Sequence, residues 1–351
     1  MINFLFVLLV FFFFYPSIVS ATEINKTPRV YVLATGGTIS AAAENNAETS
    51  DYTVAQRSIR ELLRSLPDLG PLCEIDSEQF SELDSSDITT KEMLALSKYI
   101  NSLLMKDTID ALVLTYGTDT MEEAAYFLNL TVRSNKPIVL VGAMRPDSAI
   151  SADGPLNLYN AILVACNKEA VGKGVLICIN DGIYCARDVR KTSTYKANAF
   201  QGSEYGCIGS VQSGTVRFYY ESIKKHTWKS SFNIYDLEDL PNVEIIYGYL
   251  GSSISLISHA IKSCQGIVFA GNGNGSLNKN TISYLKSAKS LPVLVRSSKT
   301  MCGAVQQMKK YKEIDILTAD DLTPQKARIL LMLSLTKTNS LEEIQGFFNQ
   351  Y

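Results

Sequence analysis

Val30-Tyr31-Val32-Leu33-Ala34-Thr35-Gly36-Gly37-Thr38-Ile39 decides how the rest of the chain is read. An apolar run ends in two glycines and then presents a threonine hydroxyl. In open α/β sheets ligands bind outside the carboxyl ends of the strands, so this turn puts a potential nucleophile where such sites form. The chain holds only two histidines, His226 and His259. A Ser-His-Asp triad or a multi-histidine metal centre therefore has little to draw on. A threonine with a lysine or tyrosine base is the chemistry to look for.

Working outward, short apolar runs alternate with helical periodicity from residue 29 onward. The pattern predicts strands over 29–35, 109–115, 137–142 and 174–180, and helices over 53–65, 89–104, 120–130 and 155–167. Such alternation argues for a mostly parallel sheet with helices on both faces. Residues 220–241 break the rhythm with charge, His226, the only tryptophan (Trp228) and Pro241, and read as a linker. A second, smaller series follows, with strands over 243–247, 266–270 and 292–296 and helices over 253–263, 278–288, 324–336 and 340–349. The expected fold is α/β. A larger N-terminal, mostly parallel sheet flanked by helices spans 28–219, and a smaller C-terminal α/β domain spans 242–351.

The chain has 351 residues and a formal charge of −2, enough for two domains with sizeable cores. No basic run exceeds a few residues, which argues against nucleic acid as a partner. Residues 1–21 stand apart. Phe4–Tyr15 is an unbroken apolar run of 12 residues, which as a helix reaches only about 18 Å, against the roughly 30 Å of a hydrocarbon core. Pro16 follows, and Val19-Ser20-Ala21 resembles a signal-peptidase site. The segment reads as a cleaved signal, which makes the mature protein periplasmic or secreted and leaves no membrane segment. The alternative is an uncleaved anchor, since no Lys or Arg precedes the run. Seven scattered cysteines (73, 166, 178, 185, 207, 264 and 302) show no CxxC spacing. Cys166 and Cys178 lie in apolar runs, as buried free thiols do, and at most one or two bridges are expected.

Three strands of the first series end in polar groups. Strand 29–35 delivers Gly36-Gly37-Thr38, strand 109–115 delivers Tyr116-Gly117-Thr118-Asp119-Thr120, and strand 137–142 delivers Ala143-Met144-Arg145-Pro146-Asp147. In a parallel sheet these ends share one edge. Each also has a purely structural reading: Thr120 with Glu123 has the spacing of a capping box, and Gly36-Gly37 suits a tight turn. Convergence of several strand ends favours a site. Lys191, after strand 174–180, is a solvated lysine or, drawn into a polar pocket, a base acting on a hydroxyl. Gly271-Asn272-Gly273-Asn274-Gly275-Ser276 lacks the Rossmann spacing and reads as a turn or as backbone approaching a small ligand; no GxxxxGK[ST] occurs.

Thr35-Gly36-Gly37-Thr38-Ile39, Tyr116-Gly117-Thr118-Asp119-Thr120-Met121-Glu122-Glu123, and Val141-Gly142-Ala143-Met144-Arg145-Pro146 followed by Ser151-Ala152-Asp153-Gly154-Pro155 occur in this order. Together they strongly resemble the bacterial type II L-asparaginases and the related glutaminase-asparaginases. The resemblance runs from about residue 28 to Phe348-Asn349-Gln350-Tyr351 and includes Pro324-Gln325-Lys326-Ala327-Arg328. It implies hydrolysis of L-asparagine to L-aspartate and ammonia without metal or organic cofactor. Thr38 matches the nucleophile and Tyr52 the tyrosine on the loop above it. Thr118, Asp119 and Lys191 match the second Thr-Asp-Lys group. Ser85 and Asp119 match residues holding the substrate's α-carboxylate and α-amino groups. Ala143 matches a position whose backbone faces the side-chain amide, and backbone N–H groups around Gly37 and Thr118, at loop-to-helix turns, are candidate donors to a developing oxyanion. The resemblance further implies a homotetramer with each site at a contact of two subunits.

The chain also departs from that pattern. Ser86 stands where the family often has Gln or Glu, and Ser276 where many members have Asn. Lys309 and Lys310 stand near where a neighbouring subunit's glutamate is expected, and the one disulfide of some exported members would need cysteines at Lys106 and Ser134, so it is not expected here. Substantial L-glutamine hydrolysis is the alternative within the family. Outside it, the alternatives are a periplasmic amino-acid-binding protein, which needs no paired threonines, and a tRNA-dependent amidotransferase subunit, which fits neither export nor the charge pattern.

Overall fold

The computed structural model describes residues 27–53 and 56–351. The predicted signal segment lies outside the described residues. The first domain is built on β1 (Arg29–Ala34), β2 (Glu74–Gln79), β3 (Ala111–Thr115), β4 (Ile138–Val141) and β5 (Val175–Ile179), continued by β6 (Gly182–Cys185), β7 (Val189–Lys191), β8 (Phe200–Gly202), β9 (Gly209–Gln212) and β10 (Thr215–Phe218). The eight-stranded sheet has the order β10-β9-β6-β5-β4-β3-β1-β2, parallel from β5 to β2 and antiparallel beyond β5. β7 and β8 form a separate two-stranded ribbon.

Alternating residues of the parallel strands are buried on both faces. Val30, Val32, Val139 and Val141 pack with α1 (Ile59–Arg64) and α4 (Gly154–Cys166) on one side. Leu33, Ile138 and Leu140 pack with α2 (Thr90–Leu104) and α3 (Met121–Thr131) on the other. That two-sided burial is why these strands read as unbroken apolar runs. All seven cysteines are free thiols.

The second sheet is all parallel, in the order β11 (Val243–Tyr247), β12 (Gly266–Gly271), β13 (Val293–Ser298) and β14 (Leu317–Thr318). It carries α5 (Ser255–Ser263), α6 (Lys279–Ser287), the short α7 (Lys309–Lys312), α8 (Pro324–Leu335) and α9 (Leu341–Gln350). One apolar cluster joins the domains. Tyr126, Phe127 and Leu130 of α3 meet Leu330 and Leu333 of α8, with Phe232 and Ile234 of the 220–241 segment buried among them. That connection is thus packed into the core rather than strung across solvent.

A buried ion pair clamps the same junction. Arg187 donates to Asp321 Oδ1 at 2.5 Å and to the carbonyl of Tyr351 at 2.8 Å. Burial alone would push the Asp321 carboxyl up; the Arg187 bond and charge outweigh it and hold the group below its ordinary value. A depressed carboxylate stabilises the fold at pH above its unfolded value, about 4. That contribution is lost as pH falls through the folded-state value. Asp321→Asn should therefore cost about 2 kcal/mol at neutral pH, because it removes the nearer carboxylate from a buried guanidinium and leaves it Asp320 at 3.7 Å and the Tyr351 carbonyl. Equilibrium denaturant unfolding measures this, and a cost below about 0.5 kcal/mol would show the pair to be passive.

Candidate active site

The order β2-β1-β3-β4-β5 reverses direction at β1, so the crevice between the carboxyl ends of β1 and β3 is the topological switch point where doubly wound sheets bind ligands. The second sheet runs in sequence order and has no such crevice. Glycine lets the loops at the switch point close on one another. Gly36 and Gly37 have φ of 103° and 89°, a region that favours glycine. A Cβ on Gly37 would lie 2.6 Å from Gly117 Cα, and one on Gly117 would lie 2.7 Å from Ser85 Oγ. The turns after β1 and β3 and the loop holding Ser85 therefore touch through their backbones, which brings Thr38, Thr118 and Ser85 to one place. Gly142, before Ala143, closes the cluster: a Cβ there would be 3.0 Å from Thr118 Cγ2.

Thr38 is buried, and its Oγ1 lies 2.9 Å from the Tyr52 hydroxyl. Tyr52 sits on a loop, residues 42–53, whose own side chains line an open recess of about 510 Å³. The Glu48 carboxylate organises that loop. It accepts from the backbone N–H groups of Thr49, Ser50 and Asp51 and from the Ser50 hydroxyl, bonds that hold its pKa down to about 2. The loop is anchored at both flanks. Ala42 and Thr53 form an antiparallel bridge. Ala43 N–H donates to Ser148 Oγ and Ile150 N–H to the Asn46 carbonyl, which ties the loop to the turn after β4. The helix expected from residue 53 starts at Ile59, behind a Ser58–Glu61 capping box, because residues 42–53 are used in this loop instead.

The second group is formed as well. Lys191 Nζ donates to Thr118 Oγ1 at 2.9 Å and to Asp119 Oδ1 at 2.6 Å. Thr118 is buried, while the Asp119 side chain is 63% exposed and remains open to a ligand. Ser85 is buried. Ser86 is exposed and donates its hydroxyl to Asp84 Oδ1, the cap of its own turn. Thr120 forms no cap: its hydroxyl donates to the Ser85 carbonyl at 2.8 Å. The capping-box expectation fails there because the better acceptor is the loop that carries Ser85. Ala143 is buried beside Gly154, and the turn after it is held by Asp153, which accepts from the N–H groups of Met144 and Arg145.

Ser276 is not brought to this cluster within one chain. Its backbone bridges to Asn272, and it lines a recess of the second domain with Tyr249 and Asn278. Lys309 and Lys310 are in α7, also in that domain, with Lys310 over the Tyr311 ring. Among the described residues no group of three or more His, Cys, Asp or Glu side chains is placed to hold a metal ion.

Two residues near the site escape a sequence reading. Glu122 accepts from the Lys191 backbone N–H at 2.6 Å, and Lys326 donates to the carbonyls of Arg187 and Val189. Charged side chains on helices look solvated in sequence, and only the packing of α8 on α3 buries them.

Known proteins resemble this chain over most of its length. Residues 29–224 match the family model described as Asparaginase, N-terminal, and residues 242–348 match that of the Glutaminase/Asparaginase C-terminal domain. L-asparaginase 2 of Bacillus subtilis (strain 168) is 45% identical over 95% of this chain and 89% of its own. A Haemophilus influenzae protein named "Probable L-asparaginase periplasmic" is 40% identical over 95% and 96%. The crystal structure of a Campylobacter jejuni protein named "Probable Cytoplasmic L-asparaginase" superposes with a TM-score of 0.88 and 42% identity, covering 92% of this chain and all of that one.

Proposed function

The chain belongs to the asparaginase family and is an amidohydrolase of L-asparagine, and on that premise we propose that Thr38 is its nucleophile, with Thr118, Asp119 and Lys191 as a second acid–base group. One observation carries the reading. At the switch point two buried threonine hydroxyls are each bonded to a different proton-bearing group, Tyr52 and Lys191, at 2.9 Å.

An amide carbon is a poor electrophile, so a neutral hydroxyl needs a base, and a positioned one contributes roughly 10²–10⁴-fold. Thr38 Oγ1 forms the new C–O bond and passes its proton to the Tyr52 oxygen as the phenol hands its own proton on toward the amide nitrogen, so Tyr52 ends as it began. The C–N bond breaks, the amide nitrogen leaves protonated as ammonia, and water then releases aspartate and restores the threonine. Among the described residues no backbone carbonyl takes the N–H of Thr38, Thr118 or Asp119. Donors of this kind suit a developing oxyanion, where one is worth about 3–4 kcal/mol. Asp119 and Ser85 take the α-amino and α-carboxylate ends, since a carboxylate is the natural partner of an ammonium. Gly37, Ser86 and Ala143 complete the rim.

The protein given asparagine and glutamine separately, with ammonia measured, tests the reading. It expects kcat/KM for asparagine to exceed that for glutamine; comparable values favour the glutaminase-asparaginase reading, which the neutral Ser86 and the joint name of the C-terminal model support.

The active assembly is a homotetramer, with Ser276 and α7 facing a neighbour's site. Tyr247, Tyr249, Leu250 and Leu256 are exposed on that domain and suit a subunit contact. Light scattering at the mass of one chain would overturn this. The mature enzyme is exported, as the apolar segment before residue 22 and the name of the Haemophilus relative support. Full-length protein recovered uncleaved in the cytoplasm would overturn it.

A further inference from the structure

Lys191 sits at the end of β7, a three-residue strand paired only with the equally short β8. A two-stranded ribbon is weakly stable by itself, yet Lys191 must place one ammonium on Thr118. Two buried opposite charges from outside the ribbon grip its backbone. Glu122, in the first turn of α3, accepts from the Lys191 N–H at 2.6 Å. Lys326, fully buried on α8 of the second domain, donates to the carbonyl of Arg187 at 2.9 Å and to that of Val189. Burial pushes the Lys326 ammonium's pKa down, and Glu122 is the foremost charge pulling it back up. Neither residue has a solvated alternative, and a buried charge costs several kcal/mol unless it is bonded and paired.

We propose that Glu122 and Lys326 are positioning residues for Lys191, holding β7 from both ends so that the Lys191 ammonium meets Thr118 Oγ1. The inference rests on the reading that Lys191 belongs to the acid–base group. It makes α8 of the second domain part of the support of the first domain's site. Misplacing a reacting group by about 1 Å costs on the order of 10²-fold, which sets the scale.

The test measures kcat, KM for asparagine and the thermal midpoint in Glu122→Ala, Glu122→Gln, Lys326→Met, Lys191→Met and the double variant Glu122→Ala/Lys191→Met. Glu122→Ala and Lys326→Met should each lower kcat by about 30–100-fold with KM changed less than about threefold. Glu122→Gln, whose amide oxygen still accepts the N–H, should stay within about fivefold of the parent. Groups acting through one another are non-additive, so Glu122→Ala should cost less than about twofold once Lys191 is already methionine. A folded Glu122→Ala with parental kcat overturns the proposal alone, as does a full additional loss in the double variant. Parental turnover in Lys191→Met overturns the reading of Lys191 and the proposal with it. If Glu122→Ala does not fold, the contrast between Glu122→Gln and Lys326→Met decides: equal losses of kcat and thermal midpoint in both overturn positioning.

Discussion

Thr38→Ala should release ammonia from asparagine at least about 10⁴-fold more slowly than the parent, with the thermal midpoint unchanged within about 2 °C. The size follows from what the substitution removes. Thr38 carries the hydroxyl at the switch point that the Tyr52 hydroxyl meets at 2.9 Å. Without it there is no oxygen to attack and no proton for Tyr52 to take, and removal of a nucleophile has cost about 10⁶ in a serine protease. The fold should be indifferent. Thr38 caps no helix with its side chain, and the turn is held by Gly37 and by backbone bonds from Ser40 and Ala41 to Gly37 and Thr38. KM should move little, because the groups assigned to the substrate's ends, Ser85 and Asp119, are untouched. Thr38→Ser keeps the hydroxyl and should retain measurable turnover. A Thr38→Ala enzyme within tenfold of the parent would remove Thr38 from the chemistry and leave the Thr118 group as the alternative nucleophile.

The elements that proved legible in the sequence are those buried on both faces. β1, β3, β4 and β5 have no polar alternation to confuse the reading, and each lies within one or two residues of its expected span. The strand that creates the switch point was not legible. β2, Glu74-Ile75-Asp76-Ser77-Glu78-Gln79, is an edge strand with an exposed, charged face. Its charges serve as edge protection, which is why no apolar run announces it. Yet its parallel pairing to β1 turns the end of β1 into a crevice. The site divides in the same way. Thr38, Thr118 and Asp119 follow apolar strands and could be found there. Tyr52 lies on irregular backbone with no periodic signal, and only resemblance to a family picked it out; Lys191 ends the short strand β7, and the sequence left it open between a solvated lysine and a base. Glu122 and Lys326 were beyond reach, since their burial is made by contact between two domains.

Thr118→Val is the sharper test of the two-threonine arrangement, because it changes one atom's chemistry and almost nothing else. The Thr118 γ-methyl is already seated: a Cβ built on Gly142 would come within 3.0 Å of it. Valine keeps that methyl and replaces only the oxygen that accepts from Lys191 at 2.9 Å. Lys191 keeps its Asp119 partner at 2.6 Å, so its Nζ stays tethered while its path to the reacting atoms is cut. Loss of a positioned acid–base relay is worth roughly 10²–10⁴-fold, and kcat should fall by about 10³-fold with stability changed by less than about 1 kcal/mol. The two hydroxyls also act on one substrate molecule. Residues acting as a unit are far from additive, so Thr38→Ala/Thr118→Val should be no slower than Thr38→Ala alone within about threefold. Independent, multiplying losses would mean that the threonines serve separate steps. A Thr118→Val enzyme within tenfold of the parent would reduce Lys191 and Asp119 to a surface ion pair beside a one-threonine site.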